Sequence, residues 1–226
     1  MKRCVIIGGA NIRRYERICA RLREDDFYIC CDSGMRHCEK LGIVPNLIVG
    51  DFDSYASPHM DIETIVLPRE KDDTDTAFAV KEALKRGFQD FLLVGVVGGR
   101  LDHTLGNVSL LLMLDTLGKS AAALDDYSEM EVVSDKPVLI EDRYPYFSLL
   151  NISGLAQGIC IRNAKFPLSD AEITCEYQYG ISNEVLPGMT AEVSVEKGRL
   201  VLIKVLSGVK PGNSCLHATP HKTWHR

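Results

Sequence analysis

In the first half of the chain, short apolar runs alternate with segments whose apolar residues recur at helical spacing. Residues 3–9, RCVIIGG, predict a buried strand ending in glycines, and residues 12–23 carry helical spacing at Ile12, Ile18, Ala20 and Leu22. Residues 27–31 predict a second strand running into Asp32-Ser33-Gly34, then a short helix to Leu41. Further strands are predicted at 47–49, 62–67 and 91–97, ending at Gly50-Asp51, Pro68 and Gly98-Gly99. Ala77, Val80, Ala83 and Leu84 mark a helix, and Leu101-Asp102-His103 opens another that runs to about Leu117. That second helix is apolar on most faces, which predicts a central, buried element. Residues 121–124 form a last strand of this half. Strands alternating with helices imply a parallel sheet, right-handed crossovers and helices on both faces, a Rossmann-like α/β/α domain over residues 1–127.

From about Glu129 the period changes. The runs EVV, YFSLLNIS, GICIRN, AEITCE, GISNEV, TAEVSVE and RLVLIKVL are separated by Gly, Pro, Asn and Asp, which predicts a small antiparallel β-sandwich domain over residues 128–206. Residues 207–226 read as a flexible, solvated tail, although His217, His221 and His225 at a spacing of four have the residue type for a metal.

Composition narrows the class. The 226 residues suffice for two modest domains, and a formal charge of −5 argues against a nucleic-acid binder, which would show a basic face. The eight cysteines form no CxxC pair and mostly lie in apolar segments, as expected of reduced core thiols in a cytoplasmic protein. Lys2 and Arg3 precede only a short apolar run broken by Gly8-Gly9, so no secretory signal is expected. The longest apolar run is far short of a membrane span, so no membrane partner is expected.

The candidate chemistry lies at the predicted strand ends, where ligands bind in sheets of this kind. VGDFDS and REKDDTD bring Asp51, Asp53, Asp72, Asp73 and Asp75 to two points flanking a short apolar run. Carboxylates gathered this closely repel one another unless a cation lies between them. Mg²⁺, which takes one or two carboxylates and completes its shell with phosphate oxygens and water, suits such a set. In an extended segment Asp51 and Asp53 share one side, with Gly50 turning the backbone just before them. Asp72, Asp73 and Thr74 stand at a helix N-terminus, whose N–H groups attract phosphate. The plainer alternatives are a surface turn for the first pair and a helix cap for the second cluster.

CDSG at 31–34, GDFDS at 50–54, KDDTD at 71–75, GGRLDHTLGN at 98–107 and GISNE at 180–184 occur together and in this order. On these motifs the chain, from residue 1 to about 206, resembles bacterial thiamine pyrophosphokinases. The resemblance implies Mg²⁺-dependent transfer of the diphosphate group of ATP to the hydroxyl of thiamine, giving thiamine diphosphate and AMP. Carried over residue by residue, Asp32, Asp51, Asp53 and Asp72 would hold Mg²⁺. Ser33, Gly34, Ser54, Lys71, Thr74, Asp75 and Arg100 would contact the nucleotide. Asp102, with His103 beside it, would meet thiamine. Ser182 and Asn183 would line the thiamine pocket, serving the nucleotide of the partner subunit in a homodimer. In part of the family a tryptophan covers thiamine, whereas the single tryptophan here is Trp224, outside the matched stretch.

Phosphoryl transfer of this kind needs positioning and charge neutralisation more than covalent chemistry. Attack at the β-phosphorus makes AMP the leaving group, and charge develops on the α–β bridging oxygen, where Mg²⁺ with Lys71 or Arg100 would stabilise it. For Arg100 the alternative is a surface ion pair. The base stays open between His103, Asp75 and Asp53. Three rival readings are a non-catalytic Mg²⁺–nucleotide sensor, a kinase of ordinary type, which would yield ADP, and a phosphatase acting on a small phosphate ester. A phosphatase with an aspartyl nucleophile would carry its DxD pair after the first strand, whereas here the pair follows the third.

Overall fold

The computed structural model describes residues 2–52, 62–68, 70 and 72–206. Strands β1 (Cys4–Ile7), β2 (Phe27–Cys31), β3 (Leu47–Gly50), β4 (Glu63–Val66), β5 (Asp90–Val94) and β6 (Ser120–Leu124) form a parallel array in the order β4-β3-β2-β1-β5-β6. The helices are α1 (Tyr15–Cys19), α2 (Met35–Leu41), α3 (Asp75–Lys85) and α4 (Leu101–Thr116). Successive residues of β1 serve opposite cores, as a strand covered on both faces requires. Cys4 and Ile6 pack with Val80 and Ala83 of α3 and Leu111 and Leu114 of α4. Val5 and Ile7 pack with Ile18 of α1 and with Met35, Cys38 and Leu41 of α2. The chain steps outward from β1 to β3 with helices on one face and returns to β5 and β6 with helices on the other. Right-handed crossovers demand that switch of face.

The expected sandwich is present, but one of its two sheets is not separate. Beyond β6 the large sheet continues antiparallel through β7 (Ser128–Val133), β13 (Leu200–Val205) and β9 (Tyr146–Asn151), making nine strands. The second sheet has the order β11-β10-β12-β8, from Leu168–Thr174, Leu155–Arg162, Thr190–Ser194 and Val138–Glu141. Phe147, Leu149, Leu200 and Leu202 from the large sheet meet Ile140, Ile159, Ile161, Ile173 and Val193 from the small one in a common core.

Several elements differ from the sequence expectation. Helix α1 has five residues, so the chain from 20 to 26 is turn rather than helix. Strand β5 stops at Val94 because Gly95 turns the chain at a φ of 64°. Strand β8 was not anticipated from its four residues. GISNEV is not a strand but is tied by isolated bridges, Phe147 to Asn183 and Ala164 to Val185, with Ser182 at a φ of 60°. Helix α4 is not buried. Only Asn107, Leu111 and Leu114 are enclosed, while Leu101 and Leu105 are 71% and 60% exposed, because one stripe of the helix meets the sheet and its opposite side is uncovered in a single chain. Cys4, Cys30, Cys31 and Cys38 are buried free thiols, but Cys175 is exposed and Cys19 is disulfide-bonded, so the reading of all cysteines as reduced core residues does not hold. No described helix is long and apolar enough to cross a membrane.

Candidate active site

The carboxyl ends of β1, β2 and β3 are drawn together by glycines. A Cβ on Gly50 would lie 2.4 Å from Asp32 Cβ, so glycine is required there by the approach of β3 to β2 and not by a turn. A Cβ on Gly9 would overlap the Ser33 side chain, and one on Gly34 would overlap the Ile7 carbonyl. This packing encloses Asp32, which is 3% exposed at the start of the short 3-10 turn Asp32–Gly34, and puts half-buried Asp51 on the adjoining strand end. Phe52 follows at a φ of 54°, so the Asp51-Phe52-Asp53 segment is not extended and the argument that its two acids share one side does not apply. Asp53, Ser54 and Lys71 lie outside the described residues, as does the tail with its histidines and Trp224.

Helix α3 approaches the same edge by its N-terminus. Thr74 caps it, its Oγ1 accepting from the Ala77 N–H at 3.2 Å, and Asp75 stands in the first turn. Cys31 at the end of β2 is 4.0 Å from Thr76 Oγ1, which seats that turn beside Asp32. Asp73 is paired with Lys81 at 2.6 Å. The cap expected from the sequence is therefore real, and it positions acids rather than excluding a site.

Opposite α3, the start of α4 is oriented by two bonds. Thr104 Oγ1 accepts from the Gly98 N–H at 3.0 Å, and buried Asn107 donates to the Val96 carbonyl at 2.7 Å. Asn107 escaped the residue-level reading, although an amide inside the apolar LGNVSLLL stretch was its signal. Between the two helices lies a cleft of about 320 Å³ lined by Asp72, Asp73, Thr74, Asp102, His103 and Asn107 among others. Arg100 donates to Asp102 at 2.5 Å, with both side chains open to solvent. That hydrogen bond, helped by the His103 N–H, pulls the Asp102 carboxyl down to about 2.

Ser182 and Asn183, expected to serve the partner subunit, stand apart from the cleft of their own chain. Asn183 is buried, its amide donating to the Phe166 carbonyl at 2.8 Å while its carbonyl accepts from the Phe166 and Glu184 N–H groups at 3.0 and 2.9 Å. Ser182 is exposed, held by its N–H on Ser148 Oγ at 3.0 Å. Among the described residues no three Asp, Glu, His or Cys side chains gather closely enough to hold a metal, so Asp32, Asp51 and Asp72 do not by themselves make one group. Asp32 and Asp51 on adjoining strand ends do match the one or two carboxylates that Mg²⁺ takes when phosphates supply other ligands.

A parallel sheet with acids at two strand ends, on the edge approached by the N-terminal ends of α3 and α4, whose cleft Asp32 and Asp51 do not themselves line, has the arrangement of a phosphate-binding α/β protein. Two family models cover most of the chain: "Thiamin pyrophosphokinase, catalytic domain" matches residues 19–121, and "Thiamin pyrophosphokinase, vitamin B1 binding domain" matches residues 132–200. A thiamine pyrophosphokinase of Bacillus subtilis (strain 168) is 27% identical over 216 residues, covering 90% of this chain and 99% of that protein. The crystal structure of thiamine pyrophosphokinase from Bacillus subtilis superposes with a TM-score of 0.78 at 25% identity, over 91% of this chain and 99% of that one. The thiamin pyrophosphokinase of Geobacillus thermodenitrificans superposes with a TM-score of 0.76 at 26% identity, over 95% and 100%. The chain belongs to the thiamine pyrophosphokinase family, enzymes of diphosphate transfer.

Proposed function

We propose that the edge formed by β2, β3, α3 and α4 binds ATP with Mg²⁺ and passes its terminal diphosphate to the hydroxyl of thiamine, releasing AMP. The observation that carries this reading is the meeting of the capped α3 N-terminus with the start of α4 across one cleft, on the edge where Asp32 and Asp51 end their strands. Asp32 and Asp51 would hold the metal, with Asp53 and Asp72 the remaining members of the set that the family resemblance implies. The ion would supply charge neutralisation on the polyphosphate. Ser33, Gly34, Thr74 and Asp75, with Ser54 and Lys71 from the set that the resemblance implies, would contact the phosphates. The exposed Arg100–Asp102 pair is held weakly enough to open, since water screens the attraction between two solvent-exposed side chains. Arg100 then turns to the phosphates and Asp102, ionised throughout the neutral range, to thiamine. The proton of the attacking hydroxyl passes to a base, of whose candidates His103 lines the cleft.

Residues 1–127 form the nucleotide half and 128–206 the thiamine half of this cytoplasmic enzyme. The position of Ser182 outside the cleft of its own chain, with the uncovered Leu101 and Leu105 of α4, supports a homodimer in which Ser182 completes the partner's site and Asn183 positions it. Sedimentation showing only monomer at working concentration would remove the shared site. The reaction itself is tested by phosphorus NMR of ATP, Mg²⁺ and thiamine with the protein. AMP with thiamine diphosphate is expected, and Asp51→Asn should abolish both. ADP with thiamine monophosphate, or no thiamine-dependent change, overturns the assignment.

A further inference from the structure

The acidic edge has to accept a polyanion, yet its described cations are largely neutralised. Lys81 is bound by Asp73 and Arg100 by Asp102. Arg36, in the first turn of α2 and three residues past Ser33, differs from both. Its guanidinium has no carboxylate partner among the described residues and is exposed. One terminal nitrogen, Nη2, donates to the Gly9 carbonyl and to Asn11 Oδ1, the latter at 3.3 Å. The other, Nη1, has no hydrogen bond among the described residues, which leaves that side of the fork open.

The support beneath this guanidinium is rigid. Gly9 is packed against Ser33 so closely that no side chain fits between them. The Ala10 N–H donates to the Gly95 carbonyl at 2.7 Å, and the Arg13 and Arg14 N–H groups donate to the buried Asp126 carboxylate at 2.9 Å each. His37, the next residue, is buried with Nε2 at 2.9 Å from the Ala10 carbonyl and Nδ1 at 2.7 Å from the Tyr15 hydroxyl. A proton on Nε2 satisfies these two contacts, the ring donating to Ala10 and accepting from Tyr15, and leaves Arg36 Nε, 3.4 Å from Nε2, without an acceptor there. The loop after β1 is thus fixed at both ends, and Arg36 lies over it beside the Asp32-Ser33-Gly34 turn.

A guanidinium that is half engaged by neutral oxygens, fixed in place and not cancelled by a carboxylate is a preorganised phosphate contact. We propose that Arg36, presented by Gly9 and Asn11, binds a phosphate group of the nucleotide and adds a positive charge that, unlike those of Arg100 and Lys81, has no ion pair to leave first. The proposal rests on the nucleotide-binding reading of this edge.

The test is equilibrium titration of the full chain with ATP and Mg²⁺ in the absence of thiamine, beside thermal melts and the KM for thiamine. Arg36→Gln keeps an amide donor for Gly9 and Asn11 but removes the charge. Loss of a charge-assisted hydrogen bond predicts ATP binding weakened about tenfold to a hundredfold, with the melt and the thiamine KM unchanged. Arg36→Lys should recover part of the lost affinity. Unchanged ATP affinity in Arg36→Gln overturns the proposal, as does an Arg36→Lys chain no better than Arg36→Gln. An earlier melt with ATP and thiamine both weakened would assign Arg36 to holding the loop instead. If the parent chain makes AMP while Arg36→Gln binds ATP normally, only the Arg36 assignment falls. If the parent binds ATP in an Arg36-dependent way but makes no AMP, only the catalytic reading falls.

Discussion

Gly50→Ala isolates the contact on which the acidic edge depends. The added methyl would sit 2.4 Å from Asp32 Cβ and 3.2 Å from both its Cα and its N. Carbon atoms pack best at about 3.5–4.0 Å, so β2 and β3 must part by roughly an ångström at this point. Rotating the Asp32 side chain gives no relief, because Cβ, Cα and N are carried by the backbone. Overpacking of this kind costs about 1–3 kcal/mol. For a chain of this size each kcal/mol lowers Tm by about 2–4 °C, which puts the expected fall at roughly 2–12 °C. The same displacement moves Asp32 relative to Asp51, so turnover measured under conditions where the variant is fully folded should drop by more than the lost stability explains. Urea titration with activity assays on the folded fraction separates the two effects. Gly106→Ala is the control of opposite sign. Nothing lies within 4 Å of its added methyl, and alanine in a helix stabilises by about 0.5–1 kcal/mol over glycine. A Gly50→Ala chain as stable and active as the parent would refute the close approach of the two strand ends.

Asn183→Ala should destabilise the fold by about 1 kcal/mol, since it removes a buried amide and strands the part-buried Phe166 and Glu184 backbone groups that it satisfies, whereas Ser182→Ala should leave the melt unchanged and raise the thiamine KM. Equal melts for the two variants would contradict that division. Burial, with the Arg36 and Lys40 charges, holds the His37 pKa below its ordinary 6.5, against the opposing Ala10 carbonyl and Asp126. The unfolded chain therefore binds the extra proton first, and the contribution is intact above the ordinary value and lost as pH falls below it. Urea midpoints measured from about pH 7 down to 5 should fall less steeply for His37→Gln than for the parent, and parallel profiles would show that His37 does not titrate as described.

What the sequence determined by itself was local. The 3.6- and 2-residue periods placed the strands and helices of the first half. The run of strand ends in Asp32, Asp51 and Gly98-Gly99 marks one edge of the sheet, and Thr74 is legible as a cap. These follow from backbone hydrogen bonding and from which face of an element must leave water, properties that a dozen neighbouring residues express. The tertiary structure decided which distant groups neutralise one another. Arg199 meets Asp115, Asn183 is consumed by Phe166, Asn107 orients α4, and Gly50 is glycine because of Asp32, which follows another strand. It also decided that β7, β13 and β9 extend the parallel sheet and that much of the apolar surface of α4 stays uncovered. No period carries this information. Cross-strand neighbours and the unpaired side of a helix are set by how whole layers pack, and a charge is open to a ligand only if no partner, from anywhere in the chain, has already reached it.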